Sequence, residues 1–343
     1  MLTIIGAILI FSVIIFVHEF GHFITARIFG VTVHEFAIGM GPVLWKKQGK
    51  ETLYSIRAIP MGGFCKMEGE DEESDDPGAF NNKKPWKRII ILVAGAGMNV
   101  LLGFVILLGL VSTSAITNDG IASVVVDSVV PEAQVAEFLQ PGDRITAING
   151  NSVHIKRDVS FELAQNGGEE AEITFKRNGE KITKTFMPMK QTAEDGTEYY
   201  LVGFNVRIDD ISIGGVLRET FFQTVWMVKT IFISLGMLFS GEAGVGDLSG
   251  PVGVVSAMNT VAKNGLLEFL FFAAFLAVNI GVMNLLPIPA LDGGRTLFVI
   301  FEMIFRKPVP RDKEGIIHFI GFALLILLML YATYNDIIRI FKG

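Results

Sequence analysis

The sequence predicts a polytopic α-helical membrane protein with about four transmembrane helices and an inserted α+β domain. Half of the 343 residues are hydrophobic, and the mean hydropathy of +0.49 is too high for an ordinary soluble protein of this size. Uncharged apolar stretches long enough to cross a bilayer recur along the chain. Charged residues and strand-like alternation return in one long middle segment, which predicts soluble mass between the membrane helices.

The first apolar stretch, residues 2–29, contains the sequence HEFGH at His18–His22. Residues i and i+4 lie on one face of a helix, so the imidazoles of His18 and His22 can reach one metal ion. Glu19 can then take a proton from a water at that ion, and this spacing is typical of zinc metalloproteases. Short matches also arise by chance in soluble helices, but ionisable groups inside a bilayer are mostly functional. We therefore predict a Zn²⁺ site here that needs a third ligand from elsewhere.

Residues 30–88 form a loop rich in Lys and Arg, which the positive-inside rule places in the cytoplasm, with the N-terminus outside. Within this loop, Ser55–Met67 alternates and contains two adjacent glycines, which predicts a β-hairpin or an extended segment. The next apolar stretch, residues 89–118, contains Asn99. This side chain either packs against a neighbouring helix, which is the preferred interpretation, or forms part of the site.

Residues 119–207 predict a compact domain of strands and short helices outside the membrane. A strand over Ile121–Val130 is followed by a turn, a strand and an Asn-Gly turn over Pro141–Gly150, and a later hairpin turns at Asn178-Gly179. The sequence PGDRITAINGNSV resembles the signature of PDZ domains. Such domains bind extended peptides or chain termini by adding a strand to a sheet edge; a size-selective plug is the alternative use.

Residues 208–264 are ambiguous. Phe221–Ser240 is apolar but interrupted by Lys229, so it either spans the membrane or lies at the interface. The interfacial interpretation is preferred, because a further span would invert the topology of everything that follows.

The third membrane segment, residues 265–294, ends in NLLPIPALDGG at Asn284–Gly294. Its two prolines free backbone groups at membrane depth, which is tolerated only where the backbone lines an enclosed cavity. Asp292 is then a natural third ligand; taken alone, it would be interpreted as a helix cap. The first and third segments both run from outside to inside, so all three ligands are expected near the cytoplasmic side. A fourth membrane helix is predicted at residues 315–335.

Together these patterns divide the chain into four segments: residues 1–118 and 265–343 as two halves of a membrane core, 119–207 as the inserted domain, and 208–264 as linker helices.

HEFGH, a PDZ signature and NLLPIPALDGG in this order resemble the bacterial site-2 proteases of the regulator of sigma-E type, over nearly the whole chain. The resemblance implies His18, His22 and Asp292 as zinc ligands and Glu19 as catalytic base. It also implies that Asn284 and a membrane-associated β-hairpin hold an unwound substrate strand; the hairpin residues concerned are Gly62, Gly63 and Phe64.

The resemblance further implies the substrates and the location. The substrates would be transmembrane segments of single-span proteins such as anti-sigma factors, already trimmed by another protease. The protein would be a multi-pass protein of the bacterial inner (cytoplasmic) membrane with its PDZ domain outside. Two features depart from the family: the second span lacks the proline of A-G-P-x-x-N, and a single PDZ domain is visible where several members have two.

Two other functions remain open from the sequence. One is a membrane scaffold whose PDZ domain is the functional part, and the other is a zinc transporter. The transporter is disfavoured because the polar groups cluster at one depth and no repeat symmetry is evident. A net charge of −6 without a basic tract predicts no nucleic-acid partner.

Overall fold

A computed structural model describes residues 2–70, 72–193, 196, 198–244, 246, 248–307 and 309–342. The chain forms two compact units. We call Met1–Ile106 together with Met227–Gly343 the core unit, and Leu107–Trp226 the inserted unit.

The helices are α1 Leu2–Ile28, α2 Pro85–Thr117, α3 Lys156–Gln165, α4 Ile213–Ser240, α5 Pro251–Asn264, α6 Leu266–Asn284, α7 Asp292–Phe305 and α8 Arg311–Lys342. The strands are β1 Val33–Gln48, β2 Leu53–Met67, β3 Ile121–Val129, β4 Arg144–Ile148, β5 Asn151–Ser152, β6 Ala171–Arg177, β7 Glu180–Phe186, β8 Met189–Thr192, β9 Glu198–Leu201 and β10 Phe204–Asp209. Short 3-10 helices lie at Phe80–Asn82 and Gln134–Glu137.

Among the described residues, five helices are long and apolar enough to cross a membrane, as expected for a multi-pass membrane protein. They are Ile5–Ile28, Pro85–Thr117, Ile213–Ser240, Leu266–Asn284 and Asp312–Lys342. The predicted count of about four is therefore not confirmed, because α4 meets the same criterion as the others.

In the core unit, α2 runs antiparallel to α6. A Cβ on Gly281, near the end of α6, would lie 2.8 Å from the carbonyl oxygen of Ala96 in α2. Further along α2, a Cβ on Gly103 would lie 2.9 Å from the carbonyl oxygen of Ala274, nearer the start of α6. Glycine at both contacts lets the two backbones touch, which is how membrane helices gain packing energy.

Helices α1 and α6 run in the same direction, as the sequence predicted. Near the start of both, a Cβ on Gly6 would lie 3.1 Å from the ring of Phe269. A buried apolar cluster that includes Ala7, Ile14, Leu276 and Ala277 continues this contact. The C-terminal ends of α1 and α6 consequently arrive at the same end of the core unit.

Strands β1 and β2 form the predicted hairpin, which also contacts α1. The first half of β1 pairs with both ends of β2, and the second half of β1 pairs with only one of them. Residues 33–38 pair with residues 63–67 on one side and face residues 53–56 on the other, while residues 43–48 pair with residues 53–57. The 63–67 segment therefore lies at an edge of the pairing pattern.

The inserted unit is built on a sheet of strand order β10-β3-β4-β6-β7, with β5 paired to β4. Strand β3 and the β6–β7 hairpin around Asn178-Gly179 lie where the sequence predicted them. The core of the sheet is apolar and includes the fully buried side chains of Ile145, Ile173 and Phe175. Burial of these side chains is the main source of stability of the unit.

Replacing Asp143 by Ala is expected to destabilise the inserted unit by about 2 kcal/mol, since a buried charged hydrogen-bond partner is lost. Asp143 is 1% exposed. Its carboxylate accepts hydrogen bonds from Arg177 Nε at 2.8 Å, Arg177 Nη2 at 2.6 Å and the Gln140 backbone N–H at 2.9 Å. Hydrogen exchange of the β3–β7 amides in the full-length protein should accelerate about 30-fold.

The matched control for this prediction is Asp127→Ala, which removes an exposed carboxylate from β3 of the same sheet. Exchange in that variant should stay within about threefold of the starting protein. Equal acceleration in the two variants would mean that the Asp143 hydrogen bonds contribute nothing specific.

Candidate metal centre

Three side chains from distant parts of the core unit converge at one point. His18 and His22 lie one turn apart on α1, and their Nε2 atoms are 3.2 Å apart. Asp292, the first residue of α7, places Oδ2 at 3.1 Å from His18 Nε2 and 3.4 Å from His22 Nε2. The structure thus brings together the three residues that the sequence proposed as ligands.

This donor set fits a metal ion. One ligand atom from each of the three residues lies within 4.8 Å of the others. Asp292 Oδ2 is buried, and within the described part of the chain it makes no hydrogen bond of acceptable geometry. A buried carboxylate oxygen that faces two imidazole nitrogens calls for a shared cation, and two imidazoles with one carboxylate are a typical catalytic zinc set.

Helix α2 contacts the Nδ1 atoms of both imidazoles. His22 Nδ1 lies 2.8 Å from the carbonyl oxygen of Ile91, and it can only donate to this acceptor. The proton therefore sits on Nδ1, which leaves the lone pair of Nε2 for a metal.

Asn99, which the sequence left open between packing and the site, contacts the first imidazole. Its side chain is fully buried, with Nδ2 at 3.3 Å from His18 Nδ1, while Oδ1 is buried with no hydrogen-bond partner among the described residues. Nitrogen and oxygen of an amide are assigned from the network. Turning this amide over would let Oδ1 accept the Nδ1 proton and free His18 Nε2 for the metal.

Glu19 lies between the metal centre and the hairpin. The backbone N–H of Cys65 donates to its carboxylate, and a Cβ on Gly63 would lie 3.1 Å from Glu19 Cγ. The glutamate is thus held beside both the two histidines and the edge segment of β2. Burial raises the pKa of the Cys65 thiol, which keeps it protonated at neutral pH and makes it a poor ligand.

The other predicted residues make contacts of their own. Asn284 ends α6 and donates to the Ile280 carbonyl of its own helix at 3.0 Å. Gly62 has a φ of +87°, a conformation in which a residue with a side chain would be strained. The ring of Phe64 lies under the guanidinium of Arg57. Their predicted part in substrate binding stays a prediction.

Helices that can cross a membrane, and a centre of two imidazoles, a carboxylate and an adjacent glutamate, define a membrane metallohydrolase. The chain belongs to peptidase family M50, whose model matches residues 6–328.

Relatives that span the whole chain agree with this assignment. A chain of Clostridium acetobutylicum whose name contains the words zinc metalloprotease is 42% identical over 98% of this chain and 97% of its own length. The zinc metalloprotease RasP of Shouchella clausii is 34% identical, with 99% and 100% covered. The regulator of sigma-W protease RasP of Bacillus subtilis is 31% identical, with 99% of both chains covered. The protein is thus a zinc metalloprotease.

Among solved structures, a PDZ domain from Listeria monocytogenes aligns with 26% of this chain and 87% of its own at 21% identity. Its TM-score of 0.21 is too low to establish a shared fold. The identity of the inserted unit as a PDZ domain stays a prediction.

Proposed function

We propose that the protein is an intramembrane protease that cuts transmembrane segments of single-span membrane proteins, anti-sigma factors among them, in regulated intramembrane proteolysis. The observation that carries this proposal is the position of the HEFGH sequence within α1, a helix apolar enough to span a membrane. The relative named regulator of sigma-W protease supports the regulatory role. The expectation that another protease trims the substrate first follows from the family resemblance.

In this proposal His18, His22 and Asp292 hold the zinc ion and Glu19 is the catalytic base. When bound, zinc supplies a Lewis acid that polarises the scissile carbonyl and acidifies the attacking water. The Glu19 carboxylate takes the proton of that water and passes it to the leaving amine nitrogen. Ile91 holds the imidazole of His22 in the tautomer that keeps Nε2 available, and Asn99 does the same for His18 once its amide is turned so that Oδ1 accepts from Nδ1.

The edge of β2 at Gly62, Gly63 and Phe64 is the proposed binding site for the unwound substrate. A helical substrate must unwind, because its carbonyls are bonded within the helix. The N–H of Cys65 points at Glu19, and N–H groups alternate sides along a strand, so the N–H of Gly63 points to the same edge. A substrate strand added there would lie against Glu19. Asn284 is proposed to hold the same strand.

We further propose that α4 makes no net crossing of the membrane. Helix α2 starts at the site, since Ile91 and Asn99 contact the histidines, and carries the chain away from it. Helix α8 likewise starts near the site, where His318 contacts Ala290. The far end of α8 contacts the segment that follows α4. There Asp336 accepts a hydrogen bond from the Gly253 N–H at 2.7 Å.

Gly246 accepts a hydrogen bond from Arg339, so it too lies at the end of the core unit remote from the site. If α4 crossed to the site side, the six residues that follow Ser240, up to Gly246, would have to cross back. Even fully extended they reach only about 20 Å, and the hydrocarbon core is about 30 Å thick. This supports an interfacial α4. The basic loop at residues 30–88 and the family resemblance support an N-terminus and an inserted unit outside a bacterial inner membrane, with the site toward the cytoplasm.

The inserted unit is proposed to screen substrates as a PDZ domain. Strand β10 ends the order of its main sheet, so its outer edge can accept an extended peptide.

The proposal is tested by incubating the purified full-length protein with single-span membrane substrates, with and without a zinc chelator. We expect cleavage inside the transmembrane segment, loss of nearly all activity with the chelator, and recovery when Zn²⁺ is restored. Mass spectrometry of the products locates the cut. Cleavage confined to the soluble parts of the substrates, or cleavage that the chelator leaves unchanged, would contradict the proposal.

A further inference from the structure

We infer that His318, on the last helix, positions Asp292 for the metal centre by holding the backbone of Ala290. The inference rests on the proposed ligand set. His318 is not one of the three converging ligand residues, so the role inferred for it is a positioning one and not a catalytic one.

The contact itself is a backbone hydrogen bond at an unusual point of the chain. Ala290 has a φ of +76°, in the left-handed region that residues with a side chain rarely adopt. Its N–H donates to His318 Nδ1 at 2.8 Å. Asp292 follows two residues later as the first residue of α7. A strained backbone conformation persists only where surrounding contacts stabilise it, and here the stabilising hydrogen bond comes from α8.

The contact with Ala290 also determines the tautomer of His318. Because Nδ1 accepts the Ala290 hydrogen bond, the ring proton sits on Nε2, which faces Glu314 Oε1 at 3.8 Å. The ring of Phe298, which belongs to α7, lies edge-on to the imidazole with centroids 5.5 Å apart. The hydrogen bond with Ala290 thus sets which ring nitrogen is the acceptor, while Phe298 only packs against the ring.

A second contact one turn further along α8 holds the same turn of the chain. A Cβ on Gly321 would lie 2.6 Å from the carbonyl oxygen of Pro289. Residues i and i+3 share a helix face, so His318 and Gly321 together form one surface against Pro289 and Ala290. Helix α8 thereby supports the irregular segment between α6 and α7, which places Asp292 opposite His18 and His22.

Without the acceptor on His318, the half-buried turn loses the hydrogen bond that stabilises the left-handed Ala290. The start of α7 can then relax, and the carboxylate of Asp292 leaves its place opposite the two imidazoles. Outer partners that orient ligands in this way change metal affinity by about 10- to 100-fold when they are removed.

The experiment compares three variants of the full-length protein in detergent. His318→Phe keeps an aromatic ring but removes the acceptor. His318→Asn keeps an acceptor, because the amide oxygen is bonded to Cγ as Nδ1 is in His. Phe298→Leu removes the ring contact and leaves the acceptor untouched. Zinc affinity is measured by competition with a chelator, and the absorption spectrum of the Co²⁺-substituted protein reports the ligand geometry.

We expect His318→Phe to weaken zinc binding about 10- to 100-fold and to change the Co²⁺ spectrum. His318→Asn and Phe298→Leu should stay within about threefold of the starting protein, with an unchanged spectrum. Undiminished zinc binding in His318→Phe overturns the inference, as does equal loss in His318→Phe and Phe298→Leu. If His318→Phe does not fold, His318→Asn still decides, because loss of zinc in that variant overturns the role of the acceptor.

Asp292→Ala separates this inference from the proposed function. Loss of zinc in Asp292→Ala with full retention in His318→Phe rejects only the positioning role. Retention of zinc in Asp292→Ala rejects the ligand set itself, and the role of His318 with it.

Discussion

Glu19→Gln is expected to abolish peptide cleavage while zinc remains bound. Glutamine has nearly the shape of glutamate and can still accept the hydrogen bond from the Cys65 N–H. It cannot take a proton from water, so the general-base contribution is lost, and the rate of cleavage should fall at least about a thousandfold. Because Glu19 is not one of the three converging ligand residues, the zinc content should stay near one ion per chain.

Cleavage rate and zinc content are measured together on the same full-length preparation. Glu268→Gln is the matched control, since it neutralises an exposed glutamate at the start of α6 in the same core unit. That variant should cleave at the normal rate. Substantial residual cleavage in Glu19→Gln would exclude Glu19 as the base, and loss of zinc would make Glu19 a ligand instead.

Gly95→Ala is expected to disable the metal centre, although Gly95 is not one of its ligands. A Cβ on Gly95 would lie 2.3 Å from His22 Nε2, the atom that faces Asp292. The imidazole cannot simply swing away, because its Nδ1 is bonded to the Ile91 carbonyl on the same helix as Gly95. We expect zinc affinity and cleavage each to fall at least about 100-fold, since either the ring or α2 must move.

Gly97→Ala is a close control for this prediction. Gly97 lies two residues further along α2, and a Cβ there would meet no described atom within 4 Å. Alanine is the better helix former by about 1 kcal/mol, so this variant should be at least as stable and fully active. Zinc content and cleavage are compared in the two variants, and equal behaviour would mean that the space beside His22 Nε2 is not needed.

The comparison of Gly95 with Gly97 also explains a departure from the family. The second span reads Ala94-Gly95-Ala96-Gly97-Met98-Asn99, without the family's proline. Two residues of this stretch still serve the site, since Gly95 makes room for one imidazole and Asn99 contacts the other. The missing proline therefore leaves both contacts in place.

The sequence alone determined the parts of the site that depend on local spacing. His18 and His22 share a helix face because they are four residues apart, and the apolar stretch around them predicts that this helix crosses a membrane. The prolines before Asp292 broke the helix where predicted, so that α6 ends at Asn284 and α7 begins at Asp292. In the inserted unit, turn residues such as Asn178-Gly179 located a hairpin for the same local reason.

The residues that surround those candidate ligands follow from the packing of the helices and cannot be read from local spacing. The contact of His22 with Ile91 joins residues 69 positions apart, and that of Asn99 with His18 joins residues 81 apart. No periodicity within one helix specifies such pairs, because they depend on how closely the glycines let helices approach. His318 is the clearest case, because it is a lone histidine near the start of a helix, yet it holds the turn that presents Asp292. Local spacing thus predicts the two histidines and the segment that carries Asp292, while helix packing brings these candidate ligands together and sets their surroundings.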